Sequence, residues 1–328
     1  MVWRYLKWSF GVLCLALLFK GYDVYSILTK PMLLSTEQPI TIIVDKNTTA
    51  ANFVNMLRAK KLVGSSQVLL TFIRLQGLTY RLKAGIYQVK PGESVQHLLY
   101  RVAKGDVLIA SFRIIDGTTQ SQINENLKHA SYLQYKEEDW QVIKGQYSSL
   151  EGLLLADTYN YHAGSEAKFI LRLAHYKLQE YLDLSWQHRD PGLPYNSPYE
   201  LLIAASIVEK EAALPQEKKI IAGIIVNRIK KNMPLQMDPT VIYALGANYK
   251  GRLVHQDLSI NSPFNTYKNR GLPPTPIAMV GKIAIDAAAH PIMSNYLYFM
   301  ARGDGSHQFS VTYEEQKAAI SHYKKNLK

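Results

Sequence analysis

One stretch decides the fold of the second half of this chain: Ser197-Pro198-Tyr199-Glu200-Leu201-Leu202-Ile203-Ala204-Ala205-Ser206-Ile207-Val208-Glu209-Lys210-Glu211. Ser197 is a good N-cap, Pro198 suits the first helical position, and Glu200 stands where a capping box places its acid. An apolar run follows at once. The pattern predicts a helix from about Pro198 to Ala213.

Glu209 is the residue of this helix that we single out first. Its neighbours three and four positions away are all small: Ala205, Ser206, Ala212 and Ala213. Residues at these spacings share one face of a helix, so small side chains there would leave room for a ligand. The alternative is that Glu209, Lys210 and Glu211 are three solvated charges near a helix end.

Polar groups among turn-forming residues follow the helix along the chain. They are found in Val226-Asn227-Arg228, Leu235-Gln236-Met237-Asp238-Pro239-Thr240, Asn265-Thr266-Tyr267 and Gly271-Leu272-Pro273-Pro274. Taken in order, these segments closely resemble the endolytic murein transglycosylase (MltG/YceG-like) family. The resemblance extends from Leu150-Glu151-Gly152 to Gly305-Ser306-His307-Gln308-Phe309-Ser310. Such a long ordered series is far more specific than one short motif.

The chain departs from the family pattern in several loops. Ala156 stands where the family usually has Pro, Thr275 where it favours Gly, and Met279-Val280 where it has a polar-proline pair. Gln316-Lys317 replaces a common His-Asn pair, so no role of that histidine is carried over. The departures predict an altered cleft shape and leave open a catalytically inactive scaffold that only binds peptidoglycan.

The resemblance implies an endolytic lytic transglycosylase that acts on peptidoglycan glycan strands. Such an enzyme cleaves the β-1,4 bond between N-acetylmuramic acid and N-acetylglucosamine and leaves 1,6-anhydromuramoyl ends. The 6-hydroxyl of the muramic acid is the nucleophile, so one carboxyl group can serve as acid and base. A carboxylic acid in a partly desolvated cleft can protonate the leaving oxygen near neutral pH, and Glu209 is the predicted catalytic residue. The family also implies action near glycan polymerases, ending nascent strands.

Five further residues are predicted to bind the substrate: Asn227, Gln236, Asp238, Tyr267 and His307. Their amide, carboxyl, hydroxyl and imidazole groups can form hydrogen bonds to sugar hydroxyl and N-acetyl groups. Structural roles stay open for three of them. Asn227 would then cap its own helix end, Tyr267 would belong to the core, and His307 would form a buried pair with its neighbour in a strand.

Asp238 has two alternatives of its own. It precedes a predicted helix that begins near Pro239, where a carboxylate can cap the free backbone N–H groups. It is also the main rival carboxylate, because a hydrolytic muramidase needs a second carboxyl group to act as nucleophile or to activate water.

The N-terminus has the pattern of a membrane-targeting segment. Arg4 and Lys7 precede an uncharged run from Trp8 to Phe19, which Lys20 closes. We predict an uncleaved single-pass anchor in the inner (cytoplasmic) membrane, with the N-terminus cytoplasmic and the catalytic domain periplasmic. The run is shorter than the roughly 17–25 residues of a typical span. A cleaved signal peptide and a buried soluble helix are the alternatives.

The predicted fold class is α+β: a single N-terminal transmembrane helix, a LysM-like subdomain, then a mixed α/β catalytic domain. The predicted segments are an anchor (1–20), a juxtamembrane linker (21–38), the LysM-like subdomain (39–110) and the YceG-like catalytic domain (111–328). In the subdomain, Ile40–Val44 and Leu82–Val89 read as strands and Val95–Ala103 as a helix. The family resemblance suggests the LysM-like name, and the subdomain either binds glycan or braces the catalytic part.

Composition and net charge limit the classes of molecule that this protein is expected to bind. The net charge of +12 suits anionic lipid or a carboxylate-rich wall polymer, and no nucleic-acid motif accompanies it, so we predict no nucleic-acid partner. The nine histidines are scattered, and Cys14 is the only cysteine. We therefore predict no metal, no cofactor and no disulfide.

Overall fold

The computed structural model describes residues 2–326, with only the backbone described at residues 2–7, 9, 10, 12, 13 and 324–326. The chain divides into two compact units. Unit 1 comprises Met1–Ala110 and Tyr161–Ser165, and unit 2 comprises Ser111–Asn160 and Glu166–Lys328. Helices and short antiparallel strands occur together, which confirms the α+β class.

Unit 1 contains helices and a pair of strands. Its elements are α1 (Val2–Thr29), β1 (Ile40–Val44), α2 (Ala50–Ala59), α3 (Ser66–Leu75), β2 (Gly85–Val89) and α4 (Val95–Lys104). β1 and β2 pair antiparallel, with Ile40 opposite Val89 and Val44 opposite Gly85. The helices cover one face of this pair, because Phe53, Ile73 and Leu99 are fully buried in the same core as the strand residues.

The predicted membrane anchor is not supported. Along the part of the chain that the structure describes, no helix combines the length and the apolar character that a membrane crossing needs. The uncharged run from Trp8 to Phe19 is twelve residues, too short by itself for a bilayer core. α1 continues through Thr29, so the first part of the predicted linker is helical.

The remaining elements lie in unit 2, apart from residues 109–110 and 161–162, which belong to unit 1. After β3 (Ile109–Arg113), the chain forms α5 (Gln120–Lys128), α6 (Gln141–Lys144), β4 (Thr158–His162), α7 (Ala167–Gln187), α8 (Pro198–Glu211), α9 (Pro215–Lys230), α10 (Asp238–Leu245), α11 (Lys282–Ala289), β5 (Tyr298–Ala301), β6 (His307–Ser310) and α12 (Tyr313–Asn326). β3 pairs with β4, and β5 pairs antiparallel with β6.

Helix α8 lies at the centre of unit 2. Ser197 caps it by accepting a hydrogen bond from the Glu200 N–H at 3.2 Å, and Pro198 is its first residue, as predicted. Every residue from Leu201 to Val208 is buried, because α7, α9, α10 and α11 pack around the helix. A helix that is apolar on all sides belongs inside a protein. Its C-terminal end therefore emerges from the core at Glu211.

Candidate active site

The side chain of Glu209 is surrounded by other residues of unit 2. Its side chain is 5% exposed, and its carboxylate pairs with the ammonium group of Lys218, which is 9% exposed. It also accepts a hydrogen bond from the Gly281 N–H at 3.2 Å. The small neighbours Ala205 and Ser206 are fully buried. They allow close packing of the protein against this face of α8. The catalytic role of Glu209 stays a prediction.

Glu211, two residues later, faces an open cleft of about 380 Å³. The lining residues come from the end of α8, from α9 and the turn before α10, from the loop before α11, from β5 and β6, and from α12. Besides Glu211 they are Arg228, Leu235, Gln236, Asp238, Tyr267, Tyr298, Phe299, Met300, Ala301, His307, Tyr313, Gln316 and Ile320. The cleft therefore brings together four of the five predicted substrate-binding residues.

The surroundings of Glu211 favour its protonated form. Burial raises the pKa of this carboxyl group to about 8, and the negative charge of Asp238 acts in the same direction. The Asp238 N–H, at the first residue of α10, donates a hydrogen bond to Glu211 and partly opposes the shift. A carboxyl group with this pKa carries a proton at neutral pH and can donate it.

Asp238 is held by Tyr267. The Tyr267 hydroxyl donates to Asp238 Oδ1 at 2.5 Å. Met237 occupies the N-cap position of α10, and no side chain caps that end. The predicted capping role of Asp238 is therefore wrong, since its carboxylate faces the cleft and the Tyr267 hydroxyl.

Gln236 reaches the cleft because of an unusual backbone conformation. Its φ of +52° lies in the left-handed region, where residues other than glycine are uncommon. The side-chain oxygen accepts a hydrogen bond from Arg228 at 3.1 Å. Arg228 is 5% exposed and also donates to the carbonyl oxygens of Pro234, Leu235 and Leu297. This guanidinium, which also lines the cleft, ties the turn before α10 to the segment before β5.

Asn227 is the one predicted binding residue that does not line the cleft. Its amide donates to the carbonyl oxygens of Ser294 at 2.7 Å and Tyr296 at 3.0 Å. These bonds hold the segment before β5 against α9. Neither substrate binding nor capping of its own helix end describes these contacts.

Glu151, in the motif Leu150-Glu151-Gly152, is a further buried acid, and its role is not evident from the sequence. It is 4% exposed and accepts a hydrogen bond from the Gln120 N–H at 2.9 Å, and Tyr243 on α10 also donates to it. Burial raises the pKa of the Glu151 carboxyl to about 7. A buried acid with several hydrogen-bond donors depends on tertiary contacts, which the sequence alone does not give.

The raised pKa of Glu151 predicts a pH-dependent stability. Below pH 4.5, its usual pKa, the carboxyl is protonated in both states and its contribution is fully present. Between pH 4.5 and about 7 the unfolded state loses this proton while the folded state keeps it, so the free energy of unfolding falls, and above about 7 the contribution is lost. Denaturant melts of the parent and of Glu151→Gln across this range measure the effect. The variant should show a smaller fall, and parallel curves would contradict the assignment.

Comparison with known proteins agrees with the motif pattern. The family model described as the YceG-like family matches residues 42–322. The chain belongs to the YceG-like family. This match covers both units, including every residue of the cleft and the buried pair of Glu209 and Lys218.

Several relatives of this family member are named endolytic murein transglycosylase. The Bacillus subtilis relative is 46% identical over 127 residues, which are 39% of this chain and 35% of that protein. The Streptococcus pneumoniae D39 relative is 31% identical over 259 residues, which are 67% of this chain and 46% of that protein. The chain thus spans less than half the length of the curated relatives it matches.

A solved structure also resembles this YceG-like chain. It is the crystal structure of a putative yceG-like protein from Listeria monocytogenes, with 28% sequence identity and a TM-score of 0.54. The match covers 87% of this chain and all of the Listeria chain.

Proposed function

We propose that this protein is an endolytic peptidoglycan lytic transglycosylase whose acid and base is Glu211. The observation that carries the proposal is the cleft at the end of α8, where a carboxyl group with a pKa of about 8 meets the predicted sugar-binding residues. The names of the relatives support the reaction type. The catalytic role that the sequence assigned to Glu209 passes to Glu211.

The chemistry follows from a protonated acid beside polar binding groups. Glu211 donates its proton to the glycosidic oxygen as the bond to the muramic acid breaks. The negative charge of Asp238 lies near Glu211 and would stabilise the positive charge that develops on the sugar ring. The 6-hydroxyl of the same sugar then closes onto its anomeric carbon, which gives the 1,6-anhydro end. Tyr267 keeps Asp238 oriented through their hydrogen bond.

The pKa of Glu211 sets the expected pH dependence of the reaction. The acid has to be protonated in the free enzyme, so kcat/KM should fall as the pH rises through about 8. In Asp238→Asn the neighbouring negative charge is removed, and the same fall should move to lower pH. Initial rates of glycan cleavage between pH 5 and pH 10 measure both curves; an alkaline limb that stays in place in Asp238→Asn would contradict the coupling.

A second candidate function is hydrolysis, because Glu211 and Asp238 line one cleft as two carboxyl groups. A muramidase of this kind would use Asp238 to activate water or to attack the sugar. Digestion in ¹⁸O-labelled water separates the two reactions. Mass spectrometry should find anhydromuramoyl ends without the label. Labelled reducing ends would support the muramidase, and wall binding without any cleavage would support the inactive scaffold.

Membrane attachment, extracytoplasmic location and action beside glycan polymerases remain proposals. Trp8, Leu15, Leu18 and Phe19 of α1 are more than 60% exposed, which suits contact with lipid. Vesicle flotation of the full chain and of a chain beginning at Leu34 tests this contact. Flotation of the full chain alone is expected, and equal behaviour of the two would contradict attachment through α1.

Glycan binding by the strand–helix–helix–strand segment of unit 1 is likewise part of the proposal. The antiparallel pairing of β1 with β2 around α2 and α3 supports the predicted LysM-like character. Binding of purified glycan strands should weaken when this segment is altered at its surface without loss of folding.

A further inference from the structure

One side of α7 carries a row of apolar side chains that stay exposed in the described part of the chain. Phe169, Leu173, Tyr176 and Leu184 are each between 43% and 62% exposed. They follow one another at four, three and eight residues, spacings that place them along one side of a helix. The opposite side of α7 is buried in unit 2. Exposed apolar residues that line up, rather than lying singly, indicate a contact surface, and we call these four residues the α7 stripe.

The charged residues on the same side of α7 are ordered by sign. Arg172 lies four residues before Tyr176, and Glu180 and Asp183 lie four and seven residues after it. All three charged side chains are exposed, and among residues 2–326 none of them takes part in an ion pair. The helix macrodipole favours the reverse order, with acids near the N-terminus and bases near the C-terminus. The stability of α7 itself therefore does not explain this arrangement.

A second copy of the same face complements both the stripe and the charges. In an antiparallel pair of identical helices, a residue before the two-fold axis meets the residue equally far after it on the other helix. With the axis at Tyr176, Arg172 of each copy lies opposite Glu180 of the other, and the two Tyr176 rings meet. Phe169 then lies beside Leu184 of the other helix. A parallel pair would instead place Arg172 against Arg172, so the charges select the antiparallel arrangement.

We propose that the α7 stripe is the contact of a homodimer, in which two copies of α7 pack antiparallel about a two-fold axis at Tyr176. No α7 residue lines the cleft of Glu211, so the contact does not depend on the proposed enzymatic activity. An anionic lipid surface fits this face less well, because Glu180 and Asp183 would approach its negative headgroups.

Cysteine crosslinking of the full chain tests the position of the axis. Cys14→Ser removes the only native cysteine, and Tyr176→Cys is added to that background. The introduced thiols should meet across the axis and form an intermolecular disulfide under mild oxidation, seen as a band of doubled mass on a non-reducing gel. Gln187→Cys is the matched control on the same exposed side of α7. Its two copies would lie about 33 Å apart at a rise of about 1.5 Å per residue, far beyond the Cα separation of about 4–7 Å that a disulfide needs.

Charge reversal tests the pairing without any crosslink. Sedimentation velocity of the parent should show a dimer whose fraction rises with protein concentration. Arg172→Glu should raise the dimer dissociation constant about 3–30-fold, because two symmetric exposed ion pairs are lost. Glu180→Arg should have the same effect. The double variant Arg172→Glu/Glu180→Arg should restore the parent's constant, since each pair is rebuilt with its charges exchanged.

Several results would overturn the proposal. Equal crosslinking of Tyr176→Cys and Gln187→Cys would show random collision, and a dimer that neither single charge reversal weakens would lie on another surface. A double variant as weak as the single variants would exclude the antiparallel pairing. A parent that stays monomeric and binds phosphatidylglycerol vesicles less well after Tyr176→Ser would assign the α7 stripe to lipid.

Discussion

Glu211→Gln is expected to lower kcat for glycan cleavage about 10²–10⁴-fold, the usual contribution of a positioned general acid. Gln is nearly the same size as Glu, but its amide group is not an acid and cannot protonate the leaving oxygen. The substrate-binding residues of the cleft are unchanged, so KM should change little. Release of soluble muropeptides from purified peptidoglycan, measured as an initial rate against substrate concentration, gives both constants.

Glu211→Asp and Glu209→Gln are the informative comparisons. Shortening the side chain by one methylene withdraws the acid from the reacting oxygen, and a displacement of about 1 Å can cost on the order of 10²-fold in rate. Glu209→Gln, assayed at a temperature where it stays folded, should keep kcat much closer to that of the parent. A complete loss in Glu209→Gln together with an active Glu211→Gln would return the catalytic role to Glu209.

The second large effect concerns stability. Glu209→Gln should lower the free energy of unfolding by about 3–5 kcal/mol, because Lys218 is left as a buried charge without its partner. Lys218→Met should lower the free energy of unfolding in the same way, because it leaves the Glu209 carboxylate as a buried charge without its partner. The double variant Glu209→Leu/Lys218→Met should recover much of the loss, since it leaves no unpaired charge in the core.

Urea denaturation of these variants measures the effect, and an exposed pair supplies the control. The side chains of Glu166 and Lys168 are 47% and 37% exposed, so Glu166→Gln should leave the unfolding curve unchanged. Equal, small effects of Glu209→Gln and Glu166→Gln would show that the pair of Glu209 and Lys218 does not stabilise the core.

Local signals predicted the elements of this fold well. The predicted start of α8 at Pro198 agrees with the structure. Ser197 and Glu200 lie next to this N-terminal end in sequence, so the capping pattern can be recognised without tertiary information. The β1 strand, Ile40–Val44, agrees with its β-branched pattern. These features depend on neighbours in the chain. By contrast, α1 continues beyond Lys20 to Thr29, and no capping pattern in the sequence marks that end.

The choice between Glu209 and Glu211 could not be made from local sequence. Both acids lie in the last turn of α8, and which of them faces the cleft depends on the helices that pack around it. Small neighbours let other segments approach Glu209, so that face is covered by protein. The larger neighbours of Glu211 desolvate the carboxyl group, which is the property that raises its pKa. The contacts of Asn227 could not be predicted for a similar reason, since its hydrogen-bond partner Ser294 lies far along the chain.

The central claim is that Glu211 carries its proton at neutral pH inside the cleft, and ¹³C NMR of glutamate labelled at the side-chain carboxyl tests it most directly. Comparison with Glu211→Gln assigns the resonance. The account predicts that this resonance titrates near pH 8 in the parent and at lower pH in Asp238→Asn. Titration of Glu211 near 4.5, its usual pKa, would contradict the account, because the group would then have no proton to donate when the substrate binds.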